Sequence, residues 1–183
     1  MTRTEALAIL DEYVKNPNLK KHMLAVEAAM RSYAEKYHGN ADEWGVAGLL
    51  HDFDWEIHPN AAEHPVKGQP MLESRGVSPE IRRAILTHAA HTGVRPETDM
   101  EKALFASDEL SGLIVAVALV SPNKTLTEVT IERVIKKMAQ KAFAANVNRD
   151  EIVEGAALLG IPLELHIGNV LVAMQQIHEQ LGL

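Results

Sequence analysis

Residues 47–56 read AGLLHDFDWE, and this stretch decides how the rest of the chain is read. An apolar run ends in the pair His51-Asp52, and two more acids, Asp54 and Glu56, follow at two-residue steps. Trp44, Ala47, Leu50 and His51 fall on one face of a helix starting near Asp42, since residues three and four apart share a side. The same period recurs on both sides. Leu7, Leu10 and Val14 mark a first helix, Asn16-Pro17-Asn18 breaks the chain, and a helix over about 19–37 turns Met23, Val26, Met30 and Tyr33 inward. A loop near His58-Pro59-Asn60 leads to a short helix over about 65–74. Ser78 caps the next helix, with Pro79 in its first turn and Ile81, Ile85 and His88 on its stripe. A longer helix spans about 99–120. No polar–apolar alternation with hairpin turns occurs, so the expected fold is all-α.

Ser121-Pro122-Asn123 is the best internal boundary. Three amphipathic segments lie beyond it, over about 129–140, 149–159 and 162–181. The last carries a continuous stripe of Ile167, Val170, Leu171, Met174, Ile177 and Leu181, which reads as core. Area scaling for 20.1 kDa gives a folded surface of roughly 8,700 Å² against roughly 29,000 Å² unfolded, enough for one core. We expect a single domain over 1–183, a bundle core over about 19–120 with C-terminal helices over about 121–183 packed on it.

The nine histidines carry the chemical signal. His22 lies on a predicted helix, His51-Asp52 ends an apolar helix, and Asp108 sits within LFASDELSGL, again an apolar helical run. Two imidazoles and two carboxylates suit a divalent ion with mixed nitrogen and oxygen ligation, leaving about two positions for water or substrate oxygen. A buried ion also offsets the cost of placing such groups in an apolar setting.

The pattern His22…His51-Asp52…Asp108 resembles the H…HD…D signature of the HD superfamily of metal-dependent phosphohydrolases. The surrounding text is similar too, through HMLAVEAAM, GLLHDFDWE, HPVKG, EIRRAILTHAAH and EKALFASDELSG, from about residue 20 to 120. The resemblance implies an HD-type helical bundle in which His22, His51, Asp52 and Asp108 hold a first metal. Members with two metals insert further histidines and use the equivalent of Asp52 as a bridge. His64 in HPVKG and His88 in AILTHAAH stand as second-site ligands on that pattern. Many members have two adjacent histidines where this chain has His88-Ala89, so His91 either replaces the missing ligand or is a polar residue at a helix end.

The implied activity is attack of metal-activated water on the phosphorus of a nucleotide or other small phosphate ester. Asp52 is a candidate to orient or deprotonate that water. Asp54 and Glu56 are read either as acceptors for ligand imidazoles, or a base for water, or as a solvated acidic loop. Lys67 is a candidate phosphate contact. Arg82 and Arg83 read as solvated helix charges, and Lys136, Lys137, Lys141 and Arg149 as a basic face. The cofactor is one or two divalent ions, with Mn, Mg, Fe, Co, Ni and Zn equally compatible. Two other readings stay open: a di-iron oxygenase-type HD enzyme, and a non-catalytic ligand-binding module.

Composition narrows the rest. The absence of cysteine excludes disulfide frameworks, thiolate metal sites and thiol catalysis. A net charge of -7 with 4% aromatic residues argues against a nucleic-acid partner. The longest apolar stretch, Leu113 to Val120, falls short of the ~18 residues of a membrane span, and no signal peptide is evident. A cytoplasmic protein with a small phosphorylated substrate and no membrane partner is expected.

Overall fold

A computed structural model describes all residues 1–183. It contains ten α-helices and no strand: α1 (Arg3–Tyr13), α2 (Pro17–Lys36), α3 (Ala41–Leu50), α4 (Gln69–Ser74), α5 (Pro79–Thr87), α6 (Asp99–Leu119), α7 (Ile131–Met138), α8 (Arg149–Leu158), α9 (Leu163–Gln176) and α10 (His178–Leu181). Seven of them start at side-chain caps that satisfy the free N–H groups of a first turn. Thr2 with Glu5 and Thr98 with Glu101 form reciprocal capping boxes at α1 and α6. Asn16, Asn40, Ser78, Thr130 and Asn148 cap α2, α3, α5, α7 and α8. The Asn16-Pro17 break is thus a helix start, with proline in the first turn.

α6 is the central helix and packs against α2, α5, α7, α8 and α9, while α2 lies along α3. Two glycines set the closest approaches. A Cβ on Gly48 would stand 2.9 Å from the Glu27 backbone, so glycine is what brings α3 onto α2. A Cβ on Gly155 would stand 2.5 Å from Ala106 Cα, which holds α8 against α6. One hydrophobic cluster of 40 buried residues runs from Ala6 to Leu181 and includes Ile167, Val170, Leu171 and Met174 of α9. The folded surface is 8658 Å². No single helix is long and apolar enough to cross a membrane.

The structure departs from the sequence reading at three places. The short helix begins at Gln69, because residues 61–68 form turns and Pro70 sits at the helix start. The last helix is broken at Ile177 (φ -113°, ψ 18°) into α9 and α10. The helix carrying His88 ends there, Ala89 is extended, and Ala90–Thr92 form a 3₁₀ turn.

Candidate metal centre

Six segments deliver the site. α2 carries His22, the end of α3 places His51, the turn after it places Asp52 and Asp54, the turn before α4 places His64, the end of α5 places His88, and α6 carries Asp108. His51 and His88 are held by the same local device. Each follows the last turn of its helix, and each donates its Nδ1–H to a carbonyl three residues back: His51 to Gly48 O at 2.8 Å and His88 to Ile85 O at 2.5 Å. Those carbonyls lack helical partners at a C-terminus, so the imidazole satisfies them while they fix its tautomer.

The side chains form two groups. In the first, His22 Nε2 lies 2.9 Å from Asp108 Oδ1 and 3.2 Å from His51 Nε2. In the second, His64 Nε2 lies 3.2 Å from His88 Nε2 and 3.2 Å from Asp52 Oδ1. Asp52 joins them. Its Oδ1 faces His64 and His88 (3.2 and 3.4 Å), and its Oδ2 faces His51 and His22 (3.5 and 3.8 Å). Both oxygens of Asp52 are therefore directed at ligand rings.

The donor set fits a cation. His64 gives its Nδ1–H to Asp54 Oδ1 at 2.8 Å, so its ring, once neutral, presents a lone pair at Nε2. His88 does the same through its bond to Ile85. Two imidazole nitrogens and one carboxylate oxygen thus converge within 3.2–3.4 Å. A proton shared among them or a bound metal ion reconciles these groups, and a ligating histidine that donates its other N–H to a carbonyl or carboxylate is the usual metal arrangement. Without a metal, the neighbouring carboxylates favour the protonated rings. Burial opposes a charge on His51, but Asp52 and Asp108 outweigh it and push its pKa up to about 9. Burial is likewise outweighed at His64 by Asp52 and Asp54, again to about 9. Asp52 and Asp108 are held well below the usual carboxylate range, the imidazoles overcoming their burial.

The ligands open into a cleft of about 470 Å³ whose wall includes Trp55, His91, Glu109 and Glu151, and no lysine or arginine. Glu109 and Glu151 come from α6 and α8 and are pinned by one residue. Asn148 gives its backbone N–H to Glu109 Oε2 at 2.9 Å and its side-chain amide to Glu151 Oε1 at 2.8 Å. Burial first, then the charges of Asp108 and Glu151, push the Glu109 carboxyl up to about 7.

The six residues read as metal ligands, His22, His51, Asp52, His64, His88 and Asp108, are brought together. For three other candidates the structure selects among the readings the sequence left open. Asp54 is fully buried behind His64 and does not line the cleft, which removes it as a base for water and leaves it as the acceptor that fixes His64. Lys67 is exposed, pairs with Glu63 and is absent from the cleft, so it is not placed to meet a phosphate there. His91 points its Nε2 at the His64 carbonyl (2.8 Å), because the helix does not persist beyond His88. Glu56 accepts the Lys15 and Asn16 N–H groups and ties the α1–α2 junction to the ligand turn. Arg82 pairs with Glu73, and Arg83 with Glu97 and Glu101. Arg149 is committed to the carbonyls of Met138, Ala144 and Val147. Glu109 and Glu151 escaped the sequence reading: Glu109 adjoins a ligand but carries no motif, and the placement of α8 is not written locally.

The HD domain family model matches residues 19–113. The chain belongs to the HD domain family. That span holds His22, His51, Asp52, His64, His88 and Asp108, while Glu151 comes from the helices beyond it. The family is commonly hydrolytic and metal-dependent, and both His/Asp groups here can hold a divalent ion. Comparison with curated proteins and with solved structures gave no match.

Proposed function

We propose that this HD domain protein is a phosphohydrolase with two divalent ions, acting on a small phosphate monoester. The observation that carries the reading is the division of the Asp52 oxygens between two ligand groups, each of which already has two imidazoles or an imidazole pair with a carboxylate. His22, His51 and Asp108 would hold one ion, His64 and His88 the other, with Asp52 shared. Bound ions of this kind supply Lewis acidity, polarising a phosphoryl oxygen and making water nucleophilic near neutral pH.

The chain's own groups do the rest. The helix-end carbonyls of Gly48 and Ile85 and the Asp54 carboxylate keep His51, His88 and His64 in the lone-pair-inward tautomer. Glu109 stands on the cleft wall beside Asp108 and is placed to orient water or to exchange a proton with the reacting oxygens. With no cation among the residues lining the cleft, neutralising phosphate charge is left to the metals. A cleft of about 470 Å³ suits a small molecule rather than a polymer.

Metal-stripped protein should regain phosphoesterase activity with Mn or Mg under anaerobic conditions, because redox-inert ions supply all that phosphoryl transfer needs. Activity that returns only with iron, only in air and with oxygen consumed would contradict the proposal and favour oxidative chemistry at the same centre.

A further inference from the structure

Gly112 lies in the middle of α6, where glycine is the least favourable residue after proline. Nothing in the packing demands it, since a Cβ there would meet no atom within 4 Å. What a side chain would occupy is open space shared by two cavities. Gly112 and His22 line both the metal cleft and a second, more enclosed cavity of about 270 Å³ between α2 and α6, walled by Val115, Leu119, Leu181 and Leu183 with Asn18 and Lys21 of α2 on its polar side.

The two cavities follow one line. Asp108, Gly112, Val115 and Leu119 recur at i, i+4, i+7 and i+11, which is a single face of α6. The helix faces that carry His22 and Asp108 therefore continue directly into the second cavity, whose α6 side is apolar. From the level of Asp108 to that of Val115 is about 10 Å along the axis. Leu119 is 49% exposed, an apolar wall without cover.

We infer that the two cavities are one substrate site: the phosphate sits at the metal ligands, and an apolar arm several carbons long passes over Gly112 into the pocket of Val115, Leu119, Leu181 and Leu183. The inference rests on the phosphohydrolase reading for the head group and adds the class of ester, an alkyl or aryl monophosphate rather than a compact polar one. Gly112 is then a specificity residue, kept small so that the arm can cross.

Calorimetric titration of the Mn-loaded full chain with methyl-, butyl- and octylphosphonic acid tests it. Affinity should rise by about twofold to fourfold per methylene, about 8- to 64-fold from methyl to butyl. In Gly112→Leu that butyl-to-methyl ratio should fall below about threefold. Leucine is a good helix former, so the variant should keep its melting temperature and metal content, both measured alongside. A ladder that is flat in the unaltered protein, or unchanged in Gly112→Leu, overturns the inference. A flat ladder together with a dimer that Leu119→Asp dissolves would assign the apolar wall to a second copy of the chain instead. If the ladder holds but none of the matching phosphate monoesters is hydrolysed, the hydrolase reading falls and the pocket stands.

Discussion

Asp54 Oδ1 accepts the Nδ1 proton of His64 at 2.8 Å, with Asp54 fully buried and outside the cleft. This single bond decides which nitrogen of His64 faces Asp52 and His88. The backbone makes room for it: a Cβ on Gly68 would stand 2.6 Å from Asp54 Oδ2, so the HPVKG turn can pass only as glycine.

Asp54→Asn should therefore weaken the second ion selectively. Asparagine can present its amide N–H to His64 and reverse the tautomer, and losing such a partner typically lowers metal affinity 10- to 100-fold. Metal titration should show one tight and one weakened site, while His91→Ala keeps two tight sites. Two equally tight sites in Asp54→Asn would remove the role given to this bond.

Glu109→Gln should lower kcat about 100-fold while two ions remain bound, the usual scale for losing a positioned acid or base. Steady-state kinetics with metal analysis of the same sample checks this. An unchanged kcat would make Glu109 a wall residue only.

His166 gives a pH dependence independent of the metals. It is buried, with Nδ1 at 2.6 Å from the Tyr33 hydroxyl and Nε2 at 2.9 Å from the Ala106 carbonyl, and burial lowers its pKa to about 4. Below about pH 6.5 the unfolded chain takes up a proton there that the native state refuses, so stability falls as pH drops from about 6.5 to 4. The loss at this one residue is roughly 3 kcal/mol across that window. Urea unfolding at several pH values should show a shallower acid slope in His166→Gln; equal slopes would contradict the assignment.

Much of this architecture is legible in the chain. Helix starts at Ser78-Pro79 and near Asp42 follow from local caps, and the stripe of α9 from its period. The six candidate ligands are legible because histidine and aspartate in apolar helical text are costly without a purpose. The sequence offered Asp54 as an imidazole acceptor and His91 as a polar helix-end residue but could not choose them over a base and a ligand, nor place Lys67, since each depends on one backbone turn: a helix that persisted past His88 would have turned His91 to the same face. Glu151 reaches the cleft only because Gly155 lets α8 close on Ala106, a long-range contact with no local trace.

The central proposal is that Asp52 would be shared by two divalent ions. Electron paramagnetic resonance of the Mn-loaded protein tests it most directly, because ions about 3.5–4 Å apart across a shared carboxylate are magnetically coupled. The account predicts two Mn per chain at saturation and a coupled spectrum, with coupling and one equivalent lost together in His64→Ala combined with His88→Ala. A single Mn per chain at saturation, or two that give only the six-line spectrum of isolated ions, would contradict it.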